Sequence, residues 1–243
     1  MEMPFLPNAD KPLTIETKFG VHARYPVKTH VIMKEDVPED VLDRYVRDYL
    51  QEGDTVFISE KIIAIMQGRA FPVDEIKPSR LAKLLCRFVY KPDYGIGIGS
   101  PVTMELCVRE VGRVKIIFAA IIAGICKLFG KRGVFYNICG MKARAIDGPC
   151  DYTLPPYNTY AKMAPHKPHE VAERLSKHIG CDVIVIDAND IAATVLGKNR
   201  KDLPDEFGEA VLADNPSGQS DEQTPIIIVR PAAALPQSGE HPA

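Results

Sequence analysis

The stretch GCDVIVIDAND, residues 180–190, contains the clearest buried strand in the sequence and ends on a cluster of polar side chains. Residues 183–186 are all β-branched and apolar, which favours an extended strand that is covered on both faces. The preceding segment PHEVAERLSKHIG, residues 168–180, has helical spacing of its apolar residues and stops at a glycine. The chain therefore places Asp187, Asn189 and Asp190 at the end of a buried strand. A metal, a phosphate or a turn at this place would explain the three polar side chains.

Outward from this strand, helices and strands mix without a regular βαβ rhythm. Residues 38–50 and 78–90 have helical spacing, with a cap predicted at Ser79, whereas DTVFIS and IIIVRP indicate buried strands. The segment GRVKIIFAAIIAGICKLFG, residues 112–130, fits either a buried strand passing into an apolar helix or one long buried segment; its apolar run is residues 116–126. We predict an α+β fold, not a Rossmann domain. Residues 1–231 are predicted to form one compact unit, or two intertwined subdomains, followed by a flexible tail at residues 232–243.

The composition indicates an ordinary globular protein. The net charge of −2 over 243 residues gives no global reason to expect a nucleic acid or a membrane as partner. Local basic spots such as Lys131 and Arg132 are open as anion sites, although solvated loop charges explain them better. The N-terminal residues have no secretory pattern, and the longest apolar run is too short for a membrane span, so we expect a cytoplasmic protein. Six cysteines without a Cys-x-x-Cys pair favour reduced thiols.

Three segments supply oxygen ligands or free backbone amides next to predicted strands. Asp147 ends the first, ARAIDG, and the carboxylates of Asp187 and Asp190 end the second. The third precedes the final strand and consists of Gly218, Gln219, Ser220, Asp221, Glu222, Gln223 and Thr224. Mg²⁺ and Mn²⁺ prefer such oxygen ligands, and a turn with free N–H groups holds phosphate. Caps and Asx turns are the alternative for any single aspartate, but the three segments together favour a site.

Lys61 follows Ser59 and Glu60 at the end of DTVFISEK. A lysine at this place provides a point charge for a phosphate, or it is a surface lysine. The sequence alone leaves these two interpretations equal.

At these segments the sequence resembles the family of γ-glutamyl ligases that add glutamate to coenzyme F-420, as a divergent bacterial-type member. The resemblance covers residues 29–230 and is carried by EGDTVFISEKIIAIMQGR, ARAIDG, VIVIDAND and GQSDEQTPIIIVR, in that order. It implies a mixed-sheet α+β fold, a homodimer and a GTP-dependent ligase with two divalent ions, Mg²⁺ or Mn²⁺. Its substrates would be a nucleotide, a small-molecule carboxylate and an amino acid, joined through an acyl phosphate.

The resemblance also implies roles for individual residues. Asp147 and Asp187 would be the metal-binding aspartates, joined by Asp190 and Gln219. The segment from Gly218 to Thr224 would hold nucleotide phosphate, and the remaining nucleotide contacts would come from Ser59, Glu60 and Lys61.

Departures from the family pattern leave a second function open. After Asp187 the family has a threonine, a Gly-Arg pair and further basic residues, whereas this chain continues with Ala188, Asn189, Asp190 and Ile191. In the phosphate loop, Asp221 and Glu222 stand where glycines are usual. A regulatory protein that binds nucleotide and metal without turnover is the alternative to the ligase. A purely structural interaction module is a third interpretation, which requires the polar strand ends to be turns only.

Overall fold

The computed structural model describes residues 3–89, 97–151, 153–218 and 220–232. The chain divides into two compact units, the first drawn from Met1–Met66 and His166–Ala243, the second from Gln67–Pro165. The predicted domain organisation of residues 1–231, and the flexible tail, of which only Ala232 is described, stay predictions.

Eight strands and nine α-helices occur in the described ranges. The strands are β1 (Thr14–Thr17), β2 (Gly20–Val27), β3 (Thr55–Ser59), β4 (Ala70–Pro72), β5 (Tyr160–Lys162), β6 (Asp182–Ala188), β7 (Ala193–Lys198) and β8 (Ile226–Pro231). The helices are α1 (Pro38–Tyr45), α2 (Glu60–Met66), α3 (Arg80–Leu85), α4 (Pro101–Val111), α5 (Arg113–Leu128), α6 (Val134–Cys139), α7 (Met141–Arg144), α8 (Pro168–Ile179) and α9 (Asp205–Val211).

The first unit is built on a six-stranded mixed sheet in the order β1-β2-β8-β3-β6-β7. Strands β3 and β6 are parallel, whereas the other neighbouring strands are antiparallel. The central strands are buried along consecutive residues, as expected for strands covered on both faces. The predicted α+β fold with a mixed sheet is confirmed, and a Rossmann arrangement is absent from the described strands.

Helix α8 and strand β6 form as the opening stretch predicts. Gly180 ends the helix with a φ of 79°, a left-handed conformation that favours glycine. The apolar face of α8 buries Val171, Leu175 and Ile179. On one face of the sheet, alternate strand residues such as Phe57 and Ile186 pack against α9.

The second unit contains α3 to α7 and the antiparallel pair of β4 and β5. Its core is an apolar cluster that includes Met104, Leu106 and Ile116. The predicted cap of α3 is confirmed, because Ser79 Oγ accepts a hydrogen bond from the Ala82 N–H at 3.2 Å. The six cysteines are free thiols, and burial raises the pKa of Cys107 to about 12.

The predictions for residues 112–130, which contain the apolar run at residues 116–126, were wrong on two counts. The run lies entirely within the single helix α5 and contains no strand. It is also not buried as a whole, because only Ile116 and Ala119 of α5 are buried. Because no polar residue interrupts this apolar run, the sequence does not show which side of the helix faces the core. No helix in the described ranges combines the length and the apolar character that crossing a membrane requires.

Candidate functional site

Three of the predicted site segments meet at one edge of the six-stranded sheet. The register of the parallel strands pairs Ser59, the last residue of β3, with Ile186, and β6 continues for two more residues through Asp187 to Ala188. Strand β8 runs the opposite way, and the Ser59 N–H donates to the Pro225 carbonyl at 2.8 Å. The segment that precedes β8 therefore arrives where the other two strands end. We call residues 59–61, 187–190, 218 and 220–225 together the strand-end site.

The first segment of the site passes from strand to helix without a loop. Ser59 ends β3 and Glu60 begins α2, and the Ser59 hydroxyl accepts from the Lys61 N–H at 3.3 Å. Glu60 is buried and Lys61 is partly buried. The main chain thus fixes the Cα positions of Glu60 and Lys61, which follow directly on the residue paired with Ile186, the neighbour of Asp187 in β6.

The second segment turns the chain from β6 into β7. The Asn189 side chain accepts from the N–H groups of Ile191 and Ala192, at 3.0 and 3.1 Å, which is an Asx turn. The turn that the sequence left open as an alternative for the aspartates is thus made by the neighbouring asparagine. Asp187 lies within the strand opposite Thr194 and is partly buried.

Asp190 takes part in a network that sequence reasoning missed. Its Oδ1 accepts from Asn215 Nδ2 at 3.1 Å and from Lys11 Nζ at 3.3 Å. Lys11 also donates to the Asp214 carbonyl at 2.6 Å. In the sequence, Lys11 is 179 residues away from Asp190 and Asn215 is 25 residues away. No pattern near Lys11 predicts the contact, whereas Asn215, in a turn before Pro216, offers a weak signal at most.

The third segment is held by hydrogen bonds from both directions. Thr224 Oγ1 donates to the Ser217 carbonyl at 2.7 Å, and Asn215 Nδ2 donates to the Gly218 carbonyl at 3.0 Å. The Gln223 carbonyl accepts from the Thr29 N–H at 3.0 Å. Gln219, predicted to bind nucleotide and metal, lies outside the described residues.

A salt bridge anchors the start of this segment to strand β2. Arg24 is fully buried, and its guanidinium donates to both carboxylate oxygens of Asp214, in one case at 2.9 Å. Burial alone would raise the pKa of Asp214, but the hydrogen bonds and charge of Arg24 hold it below its ordinary value. Asp214 is therefore ionised at neutral pH and holds the main chain that leads to Gly218.

Glu222 folds back over its own loop. Its Oε2 accepts from the Ser220 N–H at 2.8 Å, and its side chain lies so close to Gly218 that a methyl group there would overlap it. Gly218 has a φ of 73°, which also favours glycine. A carboxylate thus occupies one of the backbone donors that a phosphate in this loop would need.

Comparison with known protein families identifies the chain. Residues 26–197 match the family described as F420-0:Gamma-glutamyl ligase. The chain belongs to this ligase family. The match spans well over half of the chain and includes residues 59–61, Asp147, Asp187 and Asp190, but it ends before the loop that contains Glu222. No curated protein is similar enough to the sequence to count as a relative.

Membership of the ligase family indicates the general activity. The family points to γ-glutamyl ligase activity in coenzyme F-420 biosynthesis, and thus to an enzyme that forms amide bonds. The resemblance stated from the four sequence segments is confirmed.

The resemblance to the ligase family implies that Asp147 is the first metal ligand. Asp147 lies in the second unit. Its main chain forms an isolated bridge with Lys162, in which the N–H of each residue donates to the carbonyl of the other at 2.9 and 2.8 Å. Gly148 after it is buried. The bridge holds the main chain of Asp147 beside the end of β5, and the assignment of the carboxylate to a metal stays a prediction.

The oxygen donors of the strand-end site fit a hard divalent cation. The described part of the chain groups no three His, Cys, Asp or Glu side chains into a metal cage made of protein alone. Mg²⁺ typically takes one or two carboxylates together with substrate phosphates, so Asp187 suits an ion that arrives with a nucleotide. Asp190 suits it less well, because its carboxylate already accepts from a lysine and an amide.

Proposed function

We propose that this chain is a GTP-dependent amide ligase that uses Mg²⁺ or Mn²⁺ and joins a small-molecule carboxylate to the amine of an amino acid. The observation that carries the proposal is the meeting of Ser59, Asp187 and the Gly218 loop at one sheet edge, in a chain of the γ-glutamyl ligase family. A metal-bound nucleotide needs carboxylate, hydroxyl and backbone N–H groups together, and this edge has all three.

The proposed reaction has two steps. In the first, an oxygen of the substrate carboxylate attacks the γ-phosphorus of GTP, the bond to the bridging oxygen breaks, and GDP leaves with the electron pair. In the second, the amine attacks the carbonyl carbon of the acyl phosphate, inorganic phosphate leaves, and the ammonium proton is lost to yield the amide. Phosphoryl transfer depends mainly on positioning and on neutralising charge, which is the work assigned to the site.

The residues of the chain take the following roles in the proposal. Asp187 holds metal at the strand-end site, and Lys61 provides a positive charge for the phosphates from the first turn after β3. The family resemblance alone assigns Asp147 to a metal. The loop that begins at Gly218 provides backbone N–H groups. When bound, the divalent ions would neutralise charge on the phosphate oxygens.

A second candidate function is nucleotide binding without ligation. The position of Glu222 favours it, because the carboxylate that accepts from the Ser220 N–H competes with a phosphate for the same donor. A loop that holds its own anion suits a protein in which nucleotide acts as a signal. The two candidates differ in their products, because only a ligase releases phosphate in a reaction that requires both a carboxylate and an amine.

The test begins with calorimetric titration of GTP and ATP into metal-free protein, with and without Mn²⁺. We expect GTP binding that requires Mn²⁺ and that is abolished by Asp187→Asn, with the thermal stability of the protein unchanged. Asp202→Asn is the matched control, since that carboxylate is exposed and pairs only with Arg200 in the described structure. Equal binding by wild type and Asp187→Asn would refute the site assignment.

The product assay then decides between the candidates. The protein is incubated with GTP, Mn²⁺, glutamate and a series of carboxylate acceptors, and inorganic phosphate is measured. Phosphate release that depends on both the acceptor and glutamate supports the ligase. Binding without release under any combination supports the nucleotide-binding protein instead.

A further inference from the structure

Helix α5 presents a continuous apolar stripe to solvent. The stripe consists of exposed large apolar side chains spaced three and four residues apart: Val114, Ile117, Phe118, Ile121, Ile125 and Leu128. With 100° between successive residues, these positions fall within about 100° of the helix circumference. Ile116 and Ala119, on the opposite side, are buried in the core of the second unit. The helix is thus anchored by one face, while the other leaves Phe118 and Ile121 each 57% exposed.

The chain around this stripe is strongly basic. Residues 111–146 contain no Asp or Glu and seven Lys or Arg, leaving 23 basic against 32 acidic residues in the rest of the chain. The basic residues are Arg113, Lys115, Lys127, Lys131, Arg132, Lys142 and Arg144. The first five are exposed, and none of these five takes part in an ion pair within the described ranges. The whole-chain charge of −2 conceals this local excess.

The placement of Arg113 and Lys115 does not stabilise the helix itself. Arg113 and Lys115 lie in the first turn of α5, where a cation opposes the helix dipole. Gly112 before them provides no side-chain cap. Around the helix axis, the two basic residues flank the apolar stripe on opposite sides. Apolar residues bordered by cations are the arrangement of helices that lie in a membrane interface.

The length of α5 excludes a transmembrane position. Its 16 residues extend about 24 Å, whereas the apolar core of a bilayer is about 30 Å thick. A helix of this size buries its apolar stripe while lying parallel to the surface, with its lysines and arginines among the headgroups.

We infer that the exposed face of α5 binds the surface of a bilayer that contains anionic phospholipids. Charge complementarity selects this occupant over a second copy of the chain, because two copies joined through α5 would bring two basic segments together. The inference departs from the expectation, drawn from net charge alone, that no membrane is a partner. It is independent of the proposed ligase reaction, since the residues that carry it lie outside the strand-end site.

The test uses the full chain and sedimentable vesicles. We expect binding to phosphatidylcholine vesicles with about 30% phosphatidylserine, weak binding to phosphatidylcholine alone, and release by salt. Lys131→Gln combined with Arg132→Gln should weaken binding to the anionic vesicles about thirtyfold. Phe118→Gln combined with Ile121→Gln should weaken it about tenfold or more, because two inserted side chains are lost.

Leu84→Gln combined with Phe88→Gln is the matched control. Both side chains are exposed and apolar and lie in the second unit but outside α5, so vesicle binding should stay as in wild type. Three results would overturn the inference: no binding that depends on phosphatidylserine, equal losses in the control, or a dimer that Phe118→Gln with Ile121→Gln dissociates while vesicles bind none of the proteins. Sedimentation velocity without vesicles measures the dimer.

Discussion

The buried ion pair between Asp54 and Arg230 allows a quantitative prediction. The two carboxylate oxygens of Asp54 accept from Arg230 Nε and Nη2 at 2.8 and 2.7 Å, and both side chains are at most 2% exposed. Asp54→Asn leaves the guanidinium buried without its counter-charge. Removing one partner of a buried pair costs about 3–5 kcal/mol. Arg230 retains the Tyr49 carbonyl at 3.0 Å and the Tyr25 ring at 5.5 Å, so we expect the lower end of this range.

The measurement is thermal and denaturant unfolding at pH 7, followed by circular dichroism. A loss of about 3 kcal/mol lowers Tm by roughly 6–12 °C in a chain of this size. Asp43→Asn is the control, because Asp43 is 43% exposed and pairs with Arg47 at the surface. Such exposed pairs contribute about 0–1 kcal/mol.

A double variant separates the charge from the packing. Asp54→Leu combined with Arg230→Met removes both charges and should recover most of the loss, because a buried pair replaced by apolar side chains is often close to neutral. The reasoning is refuted if Asp54→Asn is no less stable than Asp43→Asn, or if the double variant is less stable than Asp54→Asn.

Further variants test the loop, the sheet and the acid response. Glu222→Gln should tighten GTP binding about fivefold or more in calorimetry, because a neutral side chain holds the loop N–H less strongly and does not repel phosphate; unchanged affinity would show that the loop does not contact the nucleotide. Gly197→Ala should destabilise the protein by roughly 1–3 kcal/mol in denaturant unfolding, because the added methyl overlaps the backbone at the start of α8. Gly124→Ala, in open space within α5, should instead stabilise it by about 0.5–1 kcal/mol. Since Arg24 lowers the pKa of Asp214, this pair contributes stability above the ordinary aspartate pKa of 3.8 that is lost as the pH falls through the lower folded pKa. Asp214→Asn should thus flatten the acid limb of the stability-versus-pH curve, and an unchanged limb would contradict the assignment.

The sequence was most informative where local pattern and tertiary environment agree. The β-branched apolar run of β6 favours a strand that is covered on both faces, and the spacing of apolar residues in α8 gives the helix one apolar face. Both elements could therefore be predicted. Polar residues at strand ends also drew attention to segments that the structure brings together, because strands of one sheet bring their ends to a few common edges. The mixed pairing of β3, β6 and β8 was needed to show that the three segments of the strand-end site share one of these edges.

The remaining features depend on contacts that local sequence does not encode. Lys11 contacts Asp190 although the two residues are 179 positions apart in the sequence. Hydrophobic periodicity is local and gives no information about such a contact. The fold-back of Glu222 depends on the left-handed turn at Gly218, which is set by the surrounding hydrogen bonds. The exposed face of α5 was not predicted, because a uniformly apolar segment is interpreted as buried on all sides.

The place of β8 in the sheet has a consequence for how the protein is made. This strand lies between β2 and β3, so it alone hydrogen-bonds the β1-β2 pair to the β3-β6-β7 group within the described sheet. It is also the last of these six strands in chain order, so it leaves the ribosome after the other five, at roughly 5–20 residues per second. Until residues 226–231 emerge, the two halves of the sheet have no common strand and their inner edges stay open. We therefore expect the first unit to complete its folding only after residues 226–231 have emerged, whereas residues 67–165 form a continuous segment that is free to fold earlier.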